Sequence, residues 1–404
     1  MKSVGNWERL GMKFKTYTME DALETIIDYR GKTPKKSDSG IPTLSAKSVK
    51  NNHIDYSLCY YISPDEYKRF IVRGFPKIGD VLLTTEAPMG VVARLDRDDI
   101  AVAQRLLTLR GKENVLDNEY LLYFLQSSSG QSLLKARETG TTVTGIKQAE
   151  FRKIQINVPE ISIQKKIGRF LRALDEKIEI NSKINENLEQ QAQAIFANMF
   201  DESNTTQATI SDVSLNVTDG VHNTVHDDPE GEYLLLSCKN IKGGSLNIGT
   251  SERRISRDTF EKLRRRTKLS KGDVLISSVG TIGELLLLNN EPLNYEFQRS
   301  VAMVKPNPSV VSSAYLYESL LSNRAKLINS AHGAVQQCLF ISDIAEFPIR
   351  IPQQDILSEF DTIVTPMLDI VTANENENIK LSQLRDTLLP KLMSGEIDVS
   401  DLEF

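Results

Sequence analysis

Two sets of three polar loops recur in this chain. The first set is Asp28-Tyr29-Arg30-Gly31-Lys32-Thr33, the turn at Thr84-Thr85, and Gly140-Thr141-Thr142-Val143-Thr144-Gly145-Ile146-Lys147. The second is Asp219-Gly220-Val221-His222-Asn223-Thr224, Ser277-Ser278-Val279-Gly280-Thr281, and Gly333-Ala334-Val335-Gln336-Gln337. Glycine lets backbone amides come close to an anion, while Thr, Asn, Gln, Lys and Arg supply the donors that contact phosphates and base edges. Such loops also cover many α/β proteins, and a duplicated ancestor could keep them for structure alone. Between Glu252 and Lys271 stand nine Lys or Arg against three acids, including Arg264-Arg265-Arg266. That stretch is either a solvated helix face or a phosphate contact; local density, not the net charge of −5, decides which. The candidates for nucleic-acid contact are Arg30, Lys32, Thr33, Lys47, Thr84, Thr85, Thr141, Thr142, Thr144 and Lys147 in the first half. In the second half they are His222, Asn223, Lys239, Asn240, Arg264, Arg265, Ser278, Thr281, Gln336 and Gln337. Gln104-Arg105 and Gln298-Arg299, beside apolar runs, read as structural.

Catalytic readings fail. Pro64-Asp65-Glu66-Tyr67-Lys68 is superficially like a PD…ExK nuclease site, but that site needs its carboxylates on separate strands. His222, His226, Asp227 and Asp228 lie in a loop with no histidine counterpart in the first half, which argues against a metal. There is no GxxxxGK[ST] loop, no dinucleotide-binding glycine fingerprint and no Asn/Asp-Pro-Pro-Tyr/Phe motif. No Ser/His/Asp or Cys/His set recurs, so the duplicated chain reads as a binder rather than an enzyme. A protein-binding scaffold and an enzyme with an unrecognised site are the rival readings.

The elements that position these loops repeat too. Pro76-Lys77-Ile78-Gly79-Asp80-Val81-Leu82-Leu83 returns as Leu269-Ser270-Lys271-Gly272-Asp273-Val274-Leu275-Ile276, an offset of 193 residues. That is a duplicated domain, not a solenoid unit. Within 404 residues this leaves two to three domains. Three scattered cysteines, Cys59, Cys238 and Cys338, suit a reducing cytoplasm; the first residues lack the apolar h-region expected of a signal peptide, and no apolar run reaches membrane length.

The chain divides as a leader (1–15), a mixed domain (16–160), a long helix (161–200), a linker (201–207), a second mixed domain (208–352), a second helical region (353–394) and a tail (395–404). Strands are expected at Asp80 to Thr84, Gly90 to Leu95, Ala101 to Leu109, Tyr233 to Ser237, Asp273 to Ser277 and Ser300 to Lys305. Short helices fit Asn118 to Ser127, capped by Asp117, and Ala314 to Leu321. Apolar steps of three and four from Ile163 to Met199 predict one amphipathic helix of about 37 residues, about 55 Å long. In the second helix the apolar positions are 356, 360, 363, 367, 370, 381, 384 and 388, and Pro366 predicts a break or kink. Each stripe needs a partner, and the other copy suits antiparallel pairing, with Asn181 and Asn374 fixing register on the seam.

In this order the pattern resembles the specificity subunits of type I DNA restriction-modification systems. The resemblance covers nearly the whole chain. Its most specific piece is Leu384 to Val399 (LRDTLLPKLMSGEIDV); the KxGDVLL-like runs, Val102-Ala103-Gln104-Arg105, and the IxVP run followed by Gln at 156–164 support it. It implies an α+β fold: two pseudo-symmetric mixed α/β target recognition domains joined by two long helices forming an antiparallel coiled coil. Each domain would read one half of an asymmetric bipartite sequence in double-stranded DNA, and the helices would measure the spacer. Two modification subunits carrying S-adenosylmethionine would dock on the helices, and two restriction subunits using ATP and Mg would join them. The chain itself would bind no cofactor and carry no chemistry.

Overall fold

A computed structural model of the protein describes residues 14–140, 144–249, 251–333 and 337–400. Nearly all of the expected leader, residues 1–13, lies outside them, as do Thr141, Thr142 and Gln336 of the candidate site. The chain forms two compact units, Met1–Glu179 with Asn378–Phe404, and Ile180–Glu377.

In the first unit an antiparallel sheet runs in the order Leu23–Asp28, Leu106–Gly111, Val81–Thr84, Val92–Arg94. A second sheet contains Ala101–Val102, Ile41–Leu44, Tyr60–Ile62 and Lys36–Ser37, with the first two strands parallel. The second unit repeats the plan. Its antiparallel sheet orders Ser214–Asp219, Val301–Pro306, Val274–Ser277 and Leu285–Leu287, and Tyr233–Leu236 pairs in parallel with Tyr295–Phe297. A two-stranded ribbon accompanies each unit: Lys15–Thr18 with Gln155–Val158, and Thr205–Thr209 with Pro348–Pro352. Thr205 to Gln207 of the segment expected as a linker therefore stand in a strand. The expected strand from Ala101 to Leu109 is two, in different sheets, because the chain turns at Arg105 with φ 73°.

The repeated Gly-Asp turn, Lys77-Ile78-Gly79-Asp80 and Ser270-Lys271-Gly272-Asp273, is explained by folding. Gly79 and Gly272 take φ near +90° (90° and 92°), where a side chain would be strained. The turn brings the amides of Lys77 and Ser270 to Oδ2 of Asp80 and Asp273 at 2.8 and 3.0 Å. Both carboxylates are buried, so each takes a cation from the neighbouring strand: Arg110 at 2.7 Å and Lys305 at 2.6 Å.

The helix Asn118–Gln126 is capped by Asp117, whose Oδ1 accepts from the amides of Glu119 and Tyr120. Ser312 caps Ser313–Ser322 in the same way. The long helices are Ile161–Met199 and Gln354–Ser394. Gly168 has a packing reason: a Cβ there would stand 2.7 Å from Glu119 Cβ and 3.0 Å from the Tyr120 amide nitrogen.

Within each unit the two long helices pack antiparallel. In the first, Ile167 and Leu171 share a core with Leu389 and Leu392. Buried Asp175 accepts from Arg385 Nη1 and Tyr123 Oη, both at 2.6 Å. In the second unit, Ala192 and Phe196 meet Leu357, Phe360, Val364 and Leu368. There Asn181 donates to Glu377 at 2.7 Å, and Asn374 donates to Asn185 Oδ1 at 2.8 Å. Side-chain amides of this kind tie one register and penalise a slip by a turn.

Two expectations about the second helix are corrected. The helix runs through Pro366 without interruption. Pro366 lies on the exposed side, where water can take the carbonyl that loses its amide partner, while Phe360, Val364 and Leu368 hold the buried side. The buried seam also differs from the apolar stripe as read. Ile184, Ile363, Ile370 and Leu384 are between 42 and 48 % exposed, and Leu357, Val364, Leu368 and Val371 are buried instead. On the first helix Asn181 and Asn185 occupy the seam that Ile184 was expected to share, rotating the face inward around polar pairs.

Candidate nucleic-acid interface

The matching loops are joined by backbone hydrogen bonds at one end of each antiparallel sheet. In the first unit the Thr85 amide donates to Arg105 O at 2.9 Å, and the Ile146 amide donates to Thr85 O at 2.9 Å. Gly145 makes this approach possible, since a Cβ would lie 2.6 Å from Thr85 O. Arg30 Nη2 donates to Ile146 O at 2.9 Å, and Arg73 Nη1 donates to the carbonyls of Asp28 and Arg30 at 2.7 and 3.1 Å. Buried Tyr29 donates to Gly74 O, and burial raises its phenol pKa.

The second unit is tied the same way. The Ser278 amide donates to Ser300 O and the Leu339 amide to Ser278 O, both at 2.9 Å. The Arg299 amide donates to Val221 O at 3.1 Å. Gly220 is pressed against this strand; a Cβ would meet Phe297 O at 2.1 Å. Around the junction lies a polar cleft lined by His222, Asn223, Thr224, Arg253, Gln298 and Arg299.

The candidates fall into three groups. Thr84, Thr85, Asn240 and Ser278 are buried. Thr84 Oγ1 donates to Pro88 O and accepts from the Val91 amide, Asn240 bonds Ser237 N and Asn247 O, and Ser278 Oγ donates to Arg299 O. Their side chains shape turns and do not face solvent. Arg264 is also used inside the fold: it pairs with fully buried Glu296, donates to Pro292 O and Tyr295 O, and lies 4.9 Å from the Phe260 ring. Lys32, Thr33, Lys47, Thr144, Lys147, Asn223, Thr281 and Gln337 make no side-chain hydrogen bond or ion pair among the described residues. Arg265 is exposed and reaches Glu261 O at 3.3 Å, Lys239 pairs with Glu252 at 2.9 Å, and His222 Nε2 is 2.6 Å from Asp219 Oδ2.

Arg105 and Arg299, read from the sequence as structural, have exposed guanidinium groups beside the loops. Among the described residues no group of three or more His, Cys, Asp or Glu could hold a metal ion. Asp227 is engaged by Arg253 and His222 by Asp219. No described helix is long and apolar enough to cross a membrane.

The model of the type I restriction modification DNA specificity domain matches this chain twice, over residues 13–190 and 223–381. The chain is 29% identical over 401 residues to the type I restriction enzyme MjaIX specificity subunit of Methanocaldococcus jannaschii, covering 90% of this chain and 88% of that protein. A putative type I restriction enzyme MjaX specificity subunit of the same organism is 20% identical over 412 residues, covering 94% and 93%. The crystal structure of a type I restriction-modification S subunit from M. genitalium shares the fold, with TM-score 0.62 at 16% identity over 97% of this chain and 98% of that one.

Proposed function

We propose, from the premise that this chain belongs to the type I restriction-modification DNA specificity family, that its two mixed domains read the two halves of one asymmetric DNA sequence. The chain is a specificity subunit, and its part is recognition rather than catalysis. Residues 16–160 read one half-site and residues 208–352 the other. The long helices set the length of the unread spacer between the two half-sites. Two methyltransferase subunits dock on the helices and bring S-adenosylmethionine; two restriction subunits, with ATP and Mg, join through them. The observation that carries this reading is the double family match, one on each copy of a repeated domain whose loops differ in sequence. Unlike loops on like frames make the target asymmetric, whereas a homodimer reads a palindrome.

Selection from a pool of random duplexes by the chain with its methyltransferase tests this, and one bipartite sequence is the expected product. Replacing Asn223 and Gln337 with Ala is then expected to relax discrimination in one half-site only, by about 1–3 kcal/mol for each base edge no longer read. Lys32→Ala with Thr144→Ala should act on the other half alone. Competition with duplexes altered in one half-site measures both, and equal effects in the two halves would contradict modular reading.

A further inference from the structure

We infer that Lys47 with Arg105 in the first unit, and Lys239 with Arg299 in the second, grip the sugar-phosphate backbone and leave base reading to the loops around them. This rests on the DNA-reading function proposed above and divides its labour.

In each unit two parallel strands end side by side, with Leu44 opposite Val102 and Leu236 opposite Phe297. The pairing continues one step beyond both, since Ala103 N donates to Leu44 O at 2.9 Å and Gln298 N to Leu236 O at 2.8 Å. Each pair of carboxyl ends then delivers a lysine from one strand, in Ser45-Ala46-Lys47 and Ser237-Cys238-Lys239. It delivers an arginine from the other, in Gln104-Arg105 and Gln298-Arg299. The turn that presents the lysine is closed alike in both units: Ser48 Oγ accepts from Ser45 N at 3.3 Å, and Asn240 Oδ1 accepts from Ser237 N at 2.9 Å.

All four cations are available. Lys47 and Arg299 have no side-chain partner among the described residues. Arg105 pairs with Glu86 and Lys239 with Glu252, but the two cationic side chains are 54 and 62 % exposed. Glu86 is 29 % exposed, so a phosphate can displace it from Arg105; Glu252 is 7 % exposed and keeps its bond, while the remaining N–H donors of Lys239 stay open to a phosphate. The division of labour follows from what the half-sites share. The loops differ between the units, Arg30-Gly31-Lys32-Thr33 against Val221-His222-Asn223-Thr224. Two unlike half-sites have only their backbone in common, so identical cations at identical places fit that common part. Lys77 and Lys271 stand in the two repeated turns at positions one residue apart, and they precede Val81–Thr84 and Val274–Ser277, at the strand ends away from the loops.

Binding of the full chain to its selected duplex and to a scrambled duplex, from about 50 to 200 mM salt, separates the possibilities. Each of Lys47→Ala, Arg105→Ala, Lys239→Ala and Arg299→Ala is expected to weaken both duplexes by the same factor, about three- to tenfold. Each should also flatten the slope of log K against log salt by about one. Arg299→Lys keeps the slope, and Lys271→Ala changes neither quantity. A variant that alters the preferred sequence while sparing the scrambled duplex overturns the inference, as does one that changes nothing. A wild-type chain that enriches no sequence refutes the DNA-reading function itself, a failure visible without any variant.

Discussion

Replacing Glu318 with glutamine is expected to raise the thermal stability of the second unit at pH 8.5 and to leave it nearly unchanged at pH 5. Glu318 lies on the helix Ser313–Ser322 and is 1 % exposed, with no hydrogen-bond partner for Oε2. Burial first, and then the nearby Glu189, push its carboxyl up to about 8 from an ordinary value of 4.5. The same buried region holds Glu189 from the first long helix, Glu375 from the second, and Tyr317; burial raises the pKa of each. Among the described residues no cation offsets the burial of Glu318. The sign follows from proton binding. Between about pH 4.5 and 8 the folded state keeps a proton that the unfolded chain releases, so stability falls as pH rises through that window and levels off above it. At ~1.4 kcal/mol for each unit of pKa, the loss has an upper limit of about 5 kcal/mol. Glutamine has the shape of the protonated acid and cannot ionise, so melting curves of the two proteins should meet at pH 5 and diverge toward pH 8.5. Parallel curves across that range would show that Glu318 ionises freely in the fold.

The second large effect is expected in the first unit. Arg385→Ala should cost about 3–5 kcal/mol, because it strands the Asp175 carboxylate, which is 4 % exposed, with Tyr123 alone. The repeat supplies the rescue. At the 193-residue offset, Asp175 corresponds to Leu368 and Arg385 to Ala192, both buried in the second unit's core. One copy thus fills with an ion pair what the other fills with apolar side chains. The triple variant Tyr123→Phe, Asp175→Leu, Arg385→Ala removes the three facing polar groups together and leaves only Asp386, which is exposed, so nothing is left buried without a partner. It should lie within about 2 kcal/mol of wild type in urea unfolding, well above the single variant. A triple variant no more stable than Arg385→Ala would mean that the network holds the helices by more than mutual neutralisation.

The two units show what a sequence discloses. The repeat was legible because it preserves turn chemistry: Gly79-Asp80 and Gly272-Asp273 return with the same bend and the same buried carboxylate. The Asp117 cap and the long helices were legible because capping and apolar period are local. Asn181 and Asn374 were found as polar interruptions of a stripe, and both bond across helices in the second unit. What stayed hidden depends on partners distant in sequence. Arg264 read as a free cation because Glu296, which neutralises it, is 32 residues away. Thr84, Asn240 and Ser278 read as donors because turn-closing residues and base-reading residues are the same types, and only burial tells them apart. Arg105 and Arg299 stood beside apolar runs and read as structural; their exposure arises from how two parallel strands end together. The seam of the second helix was misplaced because Ile363 and Ile370 are as apolar as Val364 and Val371. Packing against Phe196 and its neighbours, not hydropathy, chose between them.

Methylation-sensitive sequencing of the host genome, with and without an intact copy of this chain, tests most directly whether one protein reads two separated sequences. Methylated adenines in a single asymmetric motif, two short specified blocks around a spacer of constant length, lost when the chain is removed, are the expected result. A continuous or palindromic motif, or methylation that persists without the chain, would contradict it.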